Sequence, residues 1–479
     1  MMFCQMMFGL SFYGVMVILT HFFLEDLNYN EADTMMVVGA FSAIGPLFAI
    51  AGGFIADKLL GAYRSLTIAF LGFASGYVLL VLGAAATNVP MALCGIALAS
   101  YARGLMSPSY PSLYKRTFKT QEDFENCYPI NYSVNNIGAL LGQYLFPMLV
   151  LVVGFHGGFL LSAVLAGAAL LMMLFVRKGL VEASAEIDQQ PVSTKNWAAF
   201  LGLSAAMIGL VFFMFSNMDI GQNIVYAIGA AAIIYFVSLM VKSKKSDMLK
   251  MGTILIITFL TTCFFVYCGQ MMTSMTMVAI NTMRGDLFGF IPVAPEASMA
   301  MNPLWCMVAG PIIAGIFSSL EKKNINSSTA TKVGFSFILT AIAFGILTMT
   351  VTTVGEDVLI RPEVFLAIHF FLAFGEVIVG SMVVAFILSV APKHIENFSV
   401  AIALSGIVGA VFSTSIALEK GQEITQEIVQ TVYGDYFQML TVLAVVMVGI
   451  AMGASFIIRK MLEAAKAADE TIELEQANS

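Results

Sequence analysis

Residues 52–64 read Gly52-Gly53-Phe54-Ile55-Ala56-Asp57-Lys58-Leu59-Leu60-Gly61-Ala62-Tyr63-Arg64. This short glycine-rich, charged turn separates two long apolar stretches, 34–56 and 64–86. Each is about the 20 residues that a helix needs to cross the hydrocarbon core of a bilayer. The same texture runs through the chain: 59% of its 479 residues are hydrophobic and 11% are charged. A soluble domain carries about 25% charged residues, and a nucleic-acid binder shows a basic patch. The composition excludes both, along with a small disulfide-stapled domain. The six cysteines (Cys4, Cys94, Cys127, Cys263, Cys268 and Cys306) lie in or beside apolar segments and form no Cys-x-x-Cys pair, as small buried hydrophobes do.

Outward from that turn, hydropathy predicts an all-α integral membrane protein whose partner is the lipid bilayer. Its 14 transmembrane helices lie at 5–24, 34–56, 64–86, 89–112, 127–152, 157–176, 197–215, 221–241, 250–280, 302–319, 330–352, 364–390, 397–417 and 436–459. Met1 runs almost directly into apolar sequence without a basic region, so the first helix is expected to serve as its own insertion signal. Outside the spans, every Lys and Arg except Arg284, Arg361 and Lys420 falls in loops on the side of the termini. The positive-inside rule then places both termini in the cytoplasm.

Gly52-Gly53-Phe54-Ile55-Ala56, leading to Arg64, has a counterpart in Gly310-Pro311-Ile312-Ile313-Ala314, leading to Lys322. Such internal repeats are common in transporters. The repeat implies a six-helix bundle at 1–179 and another at 247–460. Between them lie a linker and two inserted helices at 180–246, and a cytoplasmic tail at 461–479 follows. The polar stretch 180–196 reads as a flexible joint.

Charges within spans are rare and by default mark function. Two lie deep: Arg103 in the fourth span and Glu376 in the twelfth, the latter two turns from His369. They serve as ligand-binding groups, or as an ion pair with each other, or each is satisfied by backbone and water. His369 and His21 read as satisfied interfacial histidines. Tyr128, Tyr132, Asn136 and Gln143 recur at near-helical spacing in the fifth span, as do Gln270, Ser274 and Asn281 in the ninth. Asn302 opens the tenth. Stripes of this kind either join helices or line a wet pathway. The sequence holds no His-Glu-x-x-His, Gly-x-Ser-x-Gly, Gly-x-Gly-x-x-Gly or P-loop pattern. No catalytic residue, cofactor or metal site is expected, and without an ATP site transport is either downhill or driven by an ion gradient.

Gly53, Asp57, Gly61 and Arg64 resemble the G-x-x-x-D-x-x-x-G-x-x-R loop of the major facilitator superfamily. Five further segments, in order, resemble the proton-dependent oligopeptide transporter family. They are Ser11-Phe12-Tyr13-Gly14, Asn131 to Gly138, Gly269 to Ser274, Met301 to Trp305, and Gly375-Glu376. The resemblance spans essentially the whole chain. It implies the major facilitator fold and symport of di- or tripeptides with protons by alternating access, in a bacterial inner membrane. Tyr13, Tyr132, Asn136, Gln270, Asn302 and Glu376 are the implied substrate-binding positions, with Glu376 also carrying the proton; Arg103 is added to them from its own position. The chain departs from the family where Gln5, Phe8 and Gly9 replace its Glu-x-x-Glu-Arg, Gly269 its acidic residue and Ser107 its lysine. Arg103 stands one turn from that lost lysine and is expected to take over its carboxylate. The alternatives are a facilitator or exchanger without proton coupling, an exporter of another small amphipathic metabolite, and a substrate-binding sensor.

Overall fold

The computed structural model describes all residues except 120, 185, 324–327, 354–358, 393–425 and 478–479. Among the described residues, nine helical stretches are long and apolar enough to cross a membrane. The N-terminal series is α1 (Met2–His21), α2 (Glu31–Phe54), α3 (Ala62–Ala86), α4 (Val89–Arg116) and α5 (Gln121–Phe175). α5 is two expected spans in one, broken at Gly154, whose φ of 70° is open to glycine and strained for any other residue. Short helices α6 (Arg177–Ala183) and α7 (Glu186–Gln189) lead to the inserted pair α8 (Thr194–Ser216) and α9 (Met218–Lys242). There follow α10 (Lys245–Gln270), α11 (Ser274–Thr282), a two-stranded hairpin of β1 (Asp286–Leu287) and β2 (Ile291–Pro292), α12 (Met301–Lys322), α13 (Thr329–Thr353), α14 (Pro362–Val390) and α15 (Gly434–Ala477). Every expected span falls on these helices except 397–417, which lies outside the described residues.

Local chemistry sets the ends. Asn30 Oδ1 accepts the Asp33 amide at 2.8 Å to start α2, and Asn88 Oδ1 accepts the Met91 amide at 3.0 Å to start α4, with Pro90 in the first turn. Such caps satisfy amides that have no partner within the helix. Lateral order comes from apolar burial. One cluster of buried side chains draws on α1 to α5 and on α8; a second draws on α10 to α15 and on the end of α9.

Within the first cluster α2 and α4 cross almost backbone to backbone. A Cβ on Gly52 would collide with the carbonyl of Gly104, and one on Gly104 would meet Phe48 Cβ at 2.5 Å. Small residues permit this approach, and in lipid close packing is a main source of helix association.

Three segments differ from expectation. The single span 250–280 is two helices, α10 and α11, interrupted at Met271–Thr273. The stretch expected to be a flexible joint holds α6 and α7, and its Asp188 is buried. Residues 461–477 continue α15 as helix, tied back to α10 by Lys250 Nζ and Asp469 Oδ2 at 2.8 Å.

The crossing makes a stability prediction. Gly52→Val forces α2 and α4 apart and costs about 1–3 kcal/mol, the usual penalty of overpacking. Gly167→Ala, where a Cβ meets nothing within 4 Å, leaves stability unchanged or slightly raised. Thermal melts of the two purified variants in detergent check the contrast.

Candidate functional site

α1 starts on one face of the protein, α2 ends there, and α4 ends there; the basic loops share that face, here called the near face. A cavity of about 250 Å³ lies among the near-face portions of α1, α4 and α5. Its wall includes Gln5, Tyr13, Arg103, Ser107, Asn131 and Asn135.

Arg103 reaches this cavity from the middle of α4. Its stem runs over Gly45 of α2, where a Cβ would stand 2.6 Å from Arg103 Cδ. Its guanidinium carbon sits 4.5 Å from the centroid of the Phe12 ring, which itself stacks on Phe8 at 5.3 Å. A cation over an aromatic face is attracted to it, and the planar guanidinium still presents a fork of N–H donors at its edge. Beside it, Tyr110 donates to Asn131 Oδ1 at 2.5 Å. The amide oxygens of Gln5 and Asn135 are buried and have no hydrogen-bond partner among the described residues. A buried acceptor left without a donor is costly.

Glu376, on α14 of the second cluster, is not on the wall of this cavity. Asn302 Nδ2 of α12 donates to its Oε2 at 2.8 Å, and Cys306 Sγ lies 3.9 Å from Asn302 Oδ1. Trp305 Nε1 donates to the Leu366 carbonyl at 2.9 Å and fixes α12 against α14. Arg103 and Glu376 form no ion pair with each other. Tyr13 is within electrostatic range of both. A cationic group on the first cluster and an anionic group on the second thus make no ion pair with each other, and Tyr13 is near enough to feel both.

The remaining sequence-predicted residues are placed differently. Gln270 is fully buried; it donates to the Val266 carbonyl at 3.1 Å and accepts from Ser274, so it spans the break between α10 and α11. Asn136 is buried and is not on the cavity wall, whereas Asn131 and Asn135 are. The Tyr132 side chain lies outside the described ones. In the loop motif Gly61 takes φ 91°, Asp57 is exposed, and Arg64 donates to carbonyls of residues 60, 187 and 190. Asn131, Asn135 and Gln5 were missed as wall residues; the available signal was the four-residue spacing of the two asparagines, which shares a face as 132 and 136 do.

The far face is held shut between the two clusters. His21 Nε2 is 3.3 Å from Glu296 Oε2, while its Nδ1 is 2.6 Å from Glu25 Oε1. Glu31, at the start of α2, accepts from Asn281 Nδ2 at 3.1 Å and from the Tyr433 hydroxyl at 3.0 Å. Tyr144 of α5 donates to the Pro292 carbonyl at 2.9 Å. His21 is therefore a satisfied residue at a helix end. His369 is buried, and its Nδ1 has no partner among the described residues.

Two helical clusters, a polar cavity in the first and polar bridges between the two on one face define a membrane transporter scaffold. Residues 65–433 match the POT family (PTR2), and the chain belongs to that family. Dipeptide and tripeptide permease B of Salmonella typhimurium is 25% identical over 393 residues, covering 81% of this chain and 79% of its own length. The permease B of Yersinia enterocolitica is 25% identical over 452 residues, covering 91% and 90%. Among solved structures, a bacterial homologue of the human drug peptide transporters PepT1 and PepT2 superposes with a TM-score of 0.82 at 22% identity, covering 96% of this chain and 98% of that one. A POT family transporter in complex with 5-aminolevulinic acid gives 0.80 at 20% identity, covering 95% of each.

The Glu31 bridge makes the next prediction. Combining Tyr433→Phe with Asn281→Ala removes both donors to Glu31. A hydrogen bond to a charged group is worth about 1.5–3 kcal/mol. A cysteine placed at Asn30 therefore reacts at least about tenfold faster in the double variant with a bulky maleimide added from the far face.

Proposed function

We propose that this protein carries di- or tripeptides, or peptide-like solutes, across a membrane by alternating access, coupled to protons. The observation that carries the reading is that Arg103 and Tyr13 line one polar cavity, while Glu376, held by Asn302 on the second cluster, makes no ion pair with Arg103 and lies within electrostatic range of Tyr13. A zwitterionic peptide has a carboxylate and an ammonium group at its two ends. Arg103 receives the carboxylate through its N–H fork, a strong charge-assisted geometry. Glu376, held by Asn302, receives the ammonium. Donors in the peptide backbone are matched to the unpaired amide oxygens of Gln5 and Asn135, and Tyr13 contributes its hydroxyl midway.

In this reading residues 1–179 and 247–460 are the two rocking halves, and the basic near face is cytoplasmic, with both termini on that side. The membrane is the bacterial inner membrane, in keeping with the permeases of Salmonella and Yersinia that the chain resembles. The shut far face and the cavity at the near face then correspond to the inward-facing half of the cycle. Protons bind at Glu376, the deep carboxylate that meets the substrate.

Arg103→Gln lowers uptake of peptides with a free carboxylate by about 10- to 100-fold, the worth of a charged hydrogen bond. Uptake of the methyl esters changes by no more than about twofold. Purified protein in liposomes with labelled dipeptides measures this, and equal loss for both sinks the role given to Arg103. Glu376→Gln retains exchange of labelled for unlabelled peptide and loses accumulation driven by an inward proton gradient. A wild-type protein indifferent to that gradient is a facilitator or exchanger, the reading favoured by Gln5 and Gly269 in place of the family's acidic residues.

A further inference from the structure

The inserted pair α8 and α9 lies outside both bundles, yet it touches each of them. α8 belongs to the first buried cluster through Phe200, Val211, Met214 and Phe215. The end of α9 belongs to the second through Phe236, Leu239 and Met240. The hairpin therefore has one foot on each half.

The foot on the first half is fastened by specific polar contacts rather than by apolar packing alone. Asp188, 2% exposed, aims its carboxylate at the start of α3: Oδ1 accepts the Tyr63 amide at 3.1 Å, and Oδ2 accepts it at 3.3 Å. The carboxylate also lies against Gly61, at the spot a Cβ would occupy. A carboxylate at a helix N-terminus meets free amides and the positive end of the helix dipole. Arg64 closes the other side, donating to the Ile187 carbonyl at 3.0 Å and the Gln190 carbonyl at 2.6 Å. Asn196 Nδ2 donates to the Leu59 carbonyl at 3.2 Å, and deeper in the membrane the Tyr101 hydroxyl bonds Ser204 Oγ at 2.5 Å. Two of the four loop-motif positions, Gly61 and Arg64, thus engage the linker to the inserted hairpin.

We propose that the α8–α9 hairpin is a mechanical tie between the two halves and that Asp188 is the positioning residue that fastens it. Among the described residues, the linker fastenings named above are at the near face, while the bridges named above between the halves are at the far face. Rocking that shuts the near face must move the two feet relative to each other. A fastened tie resists that movement, and so sets how readily the cavity closes. The Gly61 and Arg64 positions then hold a strap as well as turning a loop. This inference rests on the alternating-access reading, but its first two readouts need no transported peptide.

The test uses the full chain in liposomes and compares wild type with Asp188→Ala, Asp188→Asn and Tyr101→Phe. Hydrogen exchange of the amides at 62–65 reads the fastening, and a cysteine at Ser107 on the cavity wall reads near-face opening by its maleimide labelling rate. Asp188→Ala exposes the amides and slows labelling by about fivefold, the shift that losing one helix cap gives to an equilibrium. It changes the maximal rate of dipeptide uptake by a similar factor, while KM stays within about twofold. Asp188→Asn, which keeps an acceptor, falls between, and Tyr101→Phe shifts labelling in the same direction without exposing the amides. A purely structural role predicts lower thermal stability with unchanged labelling and uptake per folded molecule, and that result overturns the proposal. Retained amide protection in Asp188→Ala overturns the assigned contact. Absence of peptide uptake by wild type counts against the proposed substrate, leaving the labelling result to judge the tie.

Discussion

At Gly52 and Gly104 two helices meet with no side chain between them, and much of the N-terminal half is arranged around that contact. With α2 and α4 so close, Gly45, two turns earlier on α2, faces the stem of Arg103 and leaves room for it. The guanidinium is thereby led along a fixed path to the Phe12 ring and the cavity wall. A long cationic side chain free to wander in an apolar protein would seek the nearest carboxylate or the membrane surface. Here the backbone contact directs the stem, and aromatic stacking directs the head.

The architecture was largely legible because membrane insertion writes its rules into composition. Apolar runs of helical length, basic residues gathered on one side and five motifs in order were enough to read the family, since each depends on local sequence alone. The cavity wall was harder, and α5 shows why. Asn131, Tyr132, Asn135 and Asn136 cover two adjacent helical stripes, so their spacing gives a helix but leaves its rotation open. Contacts with α1 and α4 decide the rotation, and they bring Asn131 and Asn135 to the cavity. Gln270 misled for a related reason. An amide that bridges a helix break with Val266 and Ser274 carries the same letter as one that faces a ligand. Asp188 was hidden in a polar linker, because its partners are backbone amides some 125 residues away.

Charge in this chain is scarce, and two of the three far-face bridges named above are hydrogen bonds with no cationic partner. Glu31 is met by an amide and a phenol, Pro292 by another phenol, and His21 by two carboxylates. The bonds at Glu31 and Pro292 release without the cost of separating a fully desolvated ion pair, which suits contacts that must part in every cycle. The deep charges, by contrast, are left separate from each other. An Arg103–Glu376 pair would have neutralised the two groups to which the proposed function gives the ends of a zwitterion.

α15 runs unbroken from Gly434 to Ala477. At 1.5 Å per residue its 44 residues span about 66 Å, roughly twice the hydrocarbon thickness of a bilayer. The excess emerges as a continuous helical rod, braced against α10 by Asp469 and by Met461, whose Cε lies against Gly252. A fluorophore or protein tag joined directly after this rod would inherit its orientation rather than tumble freely. Anisotropy and distance measurements from that end would then report the tilt of the second bundle itself.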